Sequence, residues 1–518
     1  MKTYRLITVA ACAALLFSSC DKYLDVMPDN RAELDTEEKI TNLLVSAYPT
    51  NSTYLLEEMA SDNAIDNGPK FDVEDKSHEE AYLWEPVWTT SNDDVKSNWD
   101  AAYGAIAAAN QALQAIEDMG DPESLSAQKA EALLCRAYGH FRLANLFCLA
   151  YNPETADTDL GLPYSLAPET QVKPEYTRGT MSELYANINA DIEAALPLVD
   201  DNIYTVPKYH FNRNAAYAFA ARFNLYYGKM EKVVEYATVA VGENPTKMLR
   251  DWKGLSSLAS DWQVRVDQYI SASEPANFLM LTTYSSWGYW GGPYNLGKRY
   301  GFAKAVFTTE GPRASGPWGS YSALYSAKSC WGFDQKLAET KVGGYFQYTD
   351  KVAGIGYRMN VNVVFYADET LLCRAEAYAR LGNYDKAVED INYWIHSNTS
   401  STKTFKLADI VKYYSGIKYT PVPVTNDNQR TVKKEINPLG FTITEGDQEN
   451  LIQCILHLRR ITTVHEGLRW MDVKRYGIVI SHNRDGLDDD ILEVDDPRRA
   501  LQLPQDVINA GLEANPRN

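Results

Sequence analysis

Three segments of the sequence bring flat aromatic side chains together with glycines or hydrogen-bonding residues: AYLWEPVWTTSND (81–93), YSSWGYWGG (284–292) and GPWGSY (316–321). Aromatic rings of this kind can stack on the C–H face of a sugar, while nearby amides and carboxylates bond to its hydroxyl edge. The glycines favour open loops over helices, which would leave the rings exposed. The candidate ligand-binding residues are Trp84, Trp88, Trp287, Tyr289, Trp290 and Trp318.

Burial is the competing interpretation of these tryptophans, because most tryptophans in a chain of 518 residues belong to the core. Trp99, Trp394 and Trp470 lie in amphipathic helical patterns and are predicted to be core residues. No short motif decides between binding and burial for the tryptophans of the three segments.

Signals of enzymatic chemistry are weak. The seven histidines include no HExxH pair, and the chain has neither a GxSxG elbow nor a P-loop. His465 and Glu466 fall in a predicted helix near Arg469, where capping or ion pairing is favoured over catalysis. We therefore predict no catalytic residue. Paired carboxylates still leave a lipid-anchored glycoside hydrolase as an alternative.

The segment NRDGLDDDILEVDD (483–496) places several oxygen ligands at short spacing, loosely as in a calcium loop. It lacks the twelve-residue order of an EF-hand, so a solvated acidic loop is favoured. We predict no metal and no cofactor.

The charge balance excludes one class of partner. Lys and Arg number 50 against 69 Asp and Glu, which gives a formal net charge of −19. Nucleic acid would be repelled by this charge, and no cluster of basic residues offsets it.

The first twenty residues are typical of an export signal. Lys2 and Arg5 precede an apolar stretch, Leu6 to Phe17, which is too short to span a bilayer. The small residues before Cys20 resemble the lipobox of bacterial lipoproteins, which predicts a signal peptide over residues 1–19 and a lipid anchor at Cys20. Ordinary secretion with a free or disulfide-bonded Cys20 is the alternative. The processed chain would carry 48 basic and 69 acidic residues, a charge of −21.

Five further cysteines would remain in the processed chain. None belongs to a CxxC pair or a zinc-like cluster, so buried unpaired thiols are predicted. They are Cys135, Cys148, Cys330, Cys373 and Cys454.

The elements that must position the aromatic segments are mostly helical. An internal echo relates EALLCRA (131–137) to ETLLCRA (369–375), and the glycines at 228 and 382 predict helix-turn-helix hairpins. The pairs resemble tetratricopeptide repeats, interrupted by long insertions. Helices are predicted over residues 37–48, 96–118, 124–150, 180–197, 212–227, 230–242, 367–381, 384–397, 447–476 and 504–513.

Residues 251–366, which we name the loop-rich region, lack helical periodicity and are rich in glycine, serine and aromatics. Short strands are predicted at 344–349 and 360–366, and loops at 398–446 and 481–500. We predict four parts of the chain: a signal peptide (1–19), an amino-terminal region of helical pairs (20–250), the loop-rich region with the candidate site, and a carboxy-terminal region (367–518).

The ordered set CDKYLDVMPDNRAELDTEEKITNLLVSAY, LLCRAEAYARLGNYDKAVEDIN and HEGLRWMDVKRYG, beside the lipobox, resembles the SusD/RagB family of outer-membrane lipoproteins of Bacteroidetes. The resemblance spans almost the whole processed chain. It implies a mainly α fold, in which a tetratricopeptide-like helical-repeat scaffold holds a loop-rich, aromatic-rich ligand-binding half.

The resemblance also implies a partner and a task. The partner would be a TonB-dependent outer-membrane transporter of the SusC type, and the task would be to capture an oligosaccharide or polysaccharide at the cell surface and deliver it to that transporter. Peptide uptake of the RagB type is an alternative. A scaffold that only gates its transporter is another.

Overall fold

The structure is a computed structural model that describes residues 34–73, 75–169, 176–292 and 297–517. The predicted signal peptide (1–19) and the lipidation predicted at Cys20 lie outside the described residues. Within the described ranges, no helix has both the length and the apolar character needed to cross a bilayer.

A frame of paired helices forms both ends of the described chain. Its amino-terminal helices are α1 (Glu37–Leu44), α2 (Tyr54–Ala60), α3 (Lys76–Tyr82), α4 (Val95–Asp118), α5 (Ser126–Phe147), α6 (Met181–Ala195), α7 (Arg213–Tyr227) and α8 (Met230–Val241). Its carboxy-terminal helices are α13 (Ala367–Arg380), α14 (Tyr384–Asn398), α15 (Leu407–Ser415), α16 (Asp447–Thr462), α17 (Leu468–Arg475) and α18 (Gln505–Asn509). The prediction of a mainly α chain is confirmed.

Two of the predicted helical hairpins are confirmed together with their glycine turns. Gly228 ends α7 at φ 81°, and Gly382 follows α13 at φ 76°. A side chain with a Cβ rarely adopts this left-handed conformation, so glycine lets α8 and α14 turn back on their partners at little cost.

The internal echo corresponds to a repeated buried ion pair. Arg136 on α5 donates two hydrogen bonds of 2.7 Å to the carboxylate of Asp191 on α6. Arg374, at the equivalent place on α13, binds Asp390 on α14 in the same bidentate way at 2.7 and 2.9 Å. Because removal of one partner would leave a buried charge unpaired, the echo fixes how each helix packs on the next.

The prediction of one helix over residues 447–476 is wrong, because the chain turns between α16 and α17. His465 has φ 70° and Gly467 has φ 74°, both outside helical geometry. A Cβ at Gly467 would overlap the side chain of Glu57, so the turn needs glycine both for its backbone and for this close approach.

Short helices interrupt the loop-rich region, which was predicted to contain none. They are α9 (Trp252–Ser257), α10 (Trp262–Tyr269), α11 (Trp287–Trp290) and α12 (Lys304–Thr309). Each is only one or two turns long, which is too short to show helical periodicity in a sequence. Helix α15 was missed in the same way within the predicted loop 398–446.

The strands pair in small antiparallel sheets. They are β1 (Ile65–Asp66), β2 (Asn277–Tyr284), β3 (Tyr300–Gly301), β4 (Cys330–Phe333), β5 (Lys336–Glu339), β6 (Tyr345–Asp350), β7 (Ile355–Tyr366), β8 (Ile480–His482) and β9 (Asp490–Leu492). The largest sheet has the order β2-β7-β6, and β7 runs directly into α13 of the frame. The strands predicted at 344–349 and 360–366 are confirmed as parts of β6 and β7.

The core extends through the frame and into the loop-rich region. Trp394 and Trp470 are fully buried as predicted, whereas Trp99 is half-buried against the core. The five described cysteines are free, and four of them are buried. Burial raises the pKa of the Cys454 thiol to about 12, which fits an inert structural thiol.

Candidate functional site

Four of the six candidate aromatics lie in the core, so the expectation that they stand exposed is wrong for these four. The exposed fraction is 4% for Trp84, 0% for Trp287, 1% for Trp290 and 7% for Trp318. Trp88 is 46% exposed, and Tyr289 is half-buried. The structure therefore leaves one indole and one phenol of the set open to solvent.

The buried rings make contacts inside the protein. The Trp84 indole donates a 2.8 Å hydrogen bond to the carbonyl of Ala60 and stacks on His482 with a centroid separation of 4.1 Å. The Trp287 indole donates to the carbonyl of His465 at 3.1 Å. In this way the first ring fixes the loop before α4, and the second holds the loop-rich region on the α16–α17 turn.

The glycines beside the buried rings have a different role from the one predicted. They do not exclude a helix, because Trp287–Trp290 is itself the helix α11. A Cβ at Gly288 would overlap the carbonyl oxygen of Gly343, and one at Gly291 would lie 2.9 Å from the Trp287 ring. The glycines allow close packing around the aromatics instead of opening the loops.

Trp88 lies on a loop whose backbone is fixed by hydrogen bonds to one buried carboxylate. We name residues 84–93 the Trp88 loop. The amides of Trp88 and Thr89 donate to one carboxylate oxygen of Glu80 at 3.2 and 3.1 Å, and the Thr89 hydroxyl donates to the other at 3.1 Å. Glu80 is a buried residue of α3. The indole of Trp88 is thus presented on a fixed backbone.

Asp93 ties the Trp88 loop to the helix that carries Tyr289. Its buried carboxylate accepts a 2.9 Å hydrogen bond from the Ser286 amide and another from the Ser285 hydroxyl, just before α11. Burial raises the pKa of Asp93 to about 6, while these two hydrogen bonds act in the opposite direction. Trp88 and Tyr289, the two members of the set that are not buried, therefore lie on elements that are bonded to each other.

Tyr289 forms a cation–π contact. The guanidinium carbon of Arg358, on β7, lies 5.0 Å from the centre of the Tyr289 ring. Arg358 is exposed and Tyr289 is half-buried, so the guanidinium lies over a ring that is partly open to solvent.

The sheet carries further exposed aromatics, which are not among the six candidate residues. Tyr284 on β2 and Tyr357 on β7 are 36% and 52% exposed and form an edge-to-face pair with centroids 5.4 Å apart. Phe346 and Tyr348 on β6 form a second pair at 4.8 Å. The sequence offered a signal only for Phe346 and Tyr348, which fall in the strand predicted at 344–349.

Several charged residues elsewhere form ion pairs inside the protein. Arg469 binds Asp62 through two hydrogen bonds, and Glu466 pairs with Lys341 at 3.4 Å, in agreement with the ion pairing predicted for this turn. In the acidic segment 483–496, Asp490 and Asp496 both bind Arg498. Among the described residues, no group of three or more His, Cys, Asp and Glu could hold a metal ion.

Comparison with known proteins gives one family model that matches part of the chain. Residues 22–225 match the family model SusD-like_3, described as starch-binding and associating with the outer membrane. No curated protein sequence is significantly similar to the chain.

Several solved structures share the fold over nearly the whole chain. A SusD superfamily protein of Bacteroides thetaiotaomicron has TM-score 0.62 and 17% identity, with 93% of this chain and 99% of that chain covered. A SusD-like carbohydrate binding protein of Bacteroides vulgatus has TM-score 0.57, 15% identity and 88% coverage of each chain. A laminarin binding SusD-like protein has TM-score 0.54 and 15% identity, covering 93% and 99%. At these identities the likeness establishes the fold.

Proposed function

We propose that this chain, which is SusD-like by the family match of residues 22–225 and by a fold shared over nearly its whole length, binds a neutral glycan at the outer membrane. The contact residues are Trp88 and Tyr289, with hydroxyl-edge hydrogen bonds from exposed polar residues such as Asn92. The observation that carries the proposal is the Trp88 indole, which is 46% exposed on a loop held by Glu80.

The physical reason is that stacking needs a flat ring already held in place. A Trp on a mobile loop would lose conformational freedom on binding, whereas the fixed backbone of the Trp88 loop reduces that cost. The net charge of −19 disfavours a polyanionic ligand and leaves a neutral sugar as the matching partner.

Three of the four buried tryptophans take a supporting role in this proposal. Trp84 lies at the start of the Trp88 loop, while Trp287 and Trp290 flank Tyr289 on α11. Their packing fixes the two contact residues. Trp318 packs on Trp394 and His457 and belongs to the frame.

The cellular setting is part of the same proposal. A lipid anchor at Cys20 would hold the chain at the cell surface, where a TonB-dependent transporter of the SusC type would receive the glycan. The chain would act by binding alone, without hydrolysis. Mass spectrometry of the processed amino terminus tests the lipid anchor, and co-purification of a membrane barrel tests the transporter.

Calorimetric titration of starch and laminarin into the purified chain tests the binding itself. We expect one or both to bind, and the double variant Trp88→Ala/Tyr289→Ala to lose most of the affinity. Phe333→Ala is the matched control, because Phe333 is 64% exposed but lies on the β4–β5 sheet. Equal loss in both variants would contradict the proposed site, and release of shorter sugars during a day of incubation would support a hydrolase instead.

One observation favours a second ligand class. Strand β6 is the outer strand of its sheet, and five of its six residues are exposed, so an extended peptide could pair with its free edge. Titration of a peptide mixture in the same assay distinguishes this RagB-type activity, which would show binding where neither polysaccharide binds.

A further inference from the structure

We infer that Asp93 makes the proposed site sensitive to pH: its ionised carboxylate holds the Trp88 loop against the start of α11, and its protonation releases that link. The inference rests on the proposed function, because the two contact residues, Trp88 and Tyr289, lie on the two elements that Asp93 joins. Asp93 is a positioning residue, since it acts through these two residues and does not itself contact the ligand.

The hydrogen bonds at Asp93 require a carboxylate that accepts at both of its oxygens. The Ser286 amide donates to Oδ2 at 2.9 Å, and the Ser285 hydroxyl donates to Oδ1. The other hydrogen bond of the Ser285 hydroxyl comes from the Trp287 amide, which is a donor, at 2.9 Å. Among the described residues, Asp93 is therefore the acceptor for the Ser285 hydroxyl proton.

Protonation of Asp93 removes one of these two hydrogen bonds. A neutral carboxyl group has one good acceptor, its carbonyl oxygen, and its own O–H adds a third donor to the two that already face it. Ser285 is 0% and Asp93 is 2% exposed, so bulk water does not replace the missing acceptor. The protonated group leaves a donor unpaired between the loop and α11, and this favours their separation.

The Trp88 loop keeps its other attachment when this link is lost. The Glu80 carboxylate still accepts the amides of Trp88 and Thr89, and it belongs to α3. The change is therefore confined to the position of Trp88 relative to Tyr289. A ligand that contacts both residues binds best when this position is fixed beforehand.

The surroundings of Asp93 bring its titration close to neutral pH. Its pKa is raised from 3.8 to about 6: burial raises it most, the two hydrogen bonds lower it, and the carboxylates of Asp75 and Asp94 add a further increase. These two acids cap α3 and α4. On the neighbouring β7, the Arg358 guanidinium lies over Tyr289. Asp93 has no ion-pair partner among the described residues.

Stability and affinity should respond to this titration in opposite directions. Because the pKa of Asp93 is higher in the folded chain than its usual 3.8, the protonated form contributes stability at low pH, and this contribution is lost as the pH rises through about 6. The link between the loop and α11 forms over the same range. A carboxylate with only a structural role would not raise affinity while it lowers stability.

Titration of starch and laminarin at pH 5 and pH 7.5 tests the inference. We expect wild type to bind about three- to tenfold more weakly at pH 5. Asp93→Asn, which has one acceptor oxygen at every pH, should bind at both pH values as wild type does at pH 5. Its melting temperature relative to wild type should rise from pH 5 to pH 7.5.

Two further variants serve as comparisons. Ser285→Ala lacks the hydroxyl that competes for the carboxylate, so it should bind with similar affinity at both pH values. Asp100→Asn is the matched control, because Asp100 is an exposed acid of α4 that pairs with Lys96 at 2.7 Å. This variant should keep the wild-type dependence on pH.

Hydrogen exchange of residues 284–290, followed by mass spectrometry, measures the link without any ligand. Wild type should exchange more slowly than Asp93→Asn at pH 7.5, because its Ser286 amide is bonded to an ionised carboxylate. At pH 5 the two proteins should exchange alike. Comparison of the two proteins at one pH cancels the effect of pH on the exchange reaction itself.

The possible results separate the inference from the function on which it rests. Equal wild-type affinity at the two pH values, or the wild-type pH dependence in Asp93→Asn, would overturn the inference and leave glycan binding intact. If neither polysaccharide binds at either pH, the proposed function is wrong, and hydrogen exchange alone decides on the link. Equal exchange of wild type and Asp93→Asn at pH 7.5 would show that the link does not exist.

Discussion

The Trp88 loop and helix α11 have similar sequences but opposite surroundings. Both contain two tryptophans with serine or threonine and a turn-forming residue nearby. The loop buries Trp84 but leaves Trp88 46% exposed, whereas α11 buries both Trp287 and Trp290 almost completely. The difference lies in what contacts the backbone. The Glu80 carboxylate accepts hydrogen bonds from the backbone of the Trp88 loop, while Gly343 packs directly against α11 at Gly288. Glycine beside an aromatic can therefore indicate close packing as well as an open loop.

The largest expected effect on stability comes from the buried tryptophans of α11. Trp287→Ala would remove a fully buried ring that contacts Trp290, Phe302 and His465. We expect a loss of ~3–5 kcal/mol in the free energy of unfolding, because the cavity left behind cannot close completely. Chemical denaturation followed by tryptophan fluorescence and circular dichroism measures it. A loss below ~1 kcal/mol would show that α11 is not part of the core.

The second expected effect depends on pH and concerns Glu339, which contacts His465 in the turn between α16 and α17. Its amide donates to His465, and neither of its carboxylate oxygens has a hydrogen-bond partner among the described residues. The Lys341 ammonium, 3.8 Å from one of these oxygens, lowers the pKa of the carboxyl but acts less strongly than burial. Burial raises the pKa of this carboxyl from 4.5 to about 7. Between these two values the folded chain keeps a proton that the unfolded chain has lost, so this group lowers stability as the pH rises through the window.

Glu339→Gln removes that titration. We expect the variant to match wild type at pH 5 and to be more stable at pH 8, by up to ~3 kcal/mol in the free energy of unfolding. Thermal melting of both proteins at the two pH values measures the difference. The same difference at pH 5 and pH 8 would contradict the buried, protonated state of Glu339.

A smaller effect tests the role of the glycines directly. Gly288→Ala should destabilise the chain by ~1–3 kcal/mol, because its Cβ would overlap the carbonyl of Gly343. Gly104→Ala is the matched control: Gly104 lies within α4, and nothing lies within 4 Å of a Cβ there. That variant should gain up to ~1 kcal/mol from helix propensity. Equal effects of the two substitutions would reject close packing as the reason for glycine at 288.

The smallest expected effect on stability comes from the exposed Trp88. Trp88→Ala should change the free energy of unfolding by no more than ~0.5 kcal/mol, since the indole is half exposed and the loop is held through backbone amides. Thermal melting checks this value. A loss as large as that expected for Trp287→Ala would show that Trp88 has a structural role.

The sequence was sufficient for the long helices of the frame and insufficient for the aromatic region, for physical reasons. Long helices such as α4 and α5 show their apolar periodicity over several turns, and the turn at Gly382 is determined by its own backbone. The burial of Trp290 depends on contact with His78, which is more than two hundred positions away. No local pattern contains such a contact, so exposure could not be inferred from the glycines. The Tyr284–Tyr357 pair was missed for the same reason, since it forms only when β2 and β7 align.

The central claim is that this chain binds glycan through an exposed ring on a fixed loop, and that Trp84, Trp287 and Trp290 only support that ring. The most direct test is the affinity of Trp88→Ala for starch and laminarin, measured beside its melting temperature. We predict at least about tenfold weaker binding of whichever polysaccharide wild type binds, with an unchanged melting temperature. Wild-type affinity in this variant, at full folding, would contradict the claim.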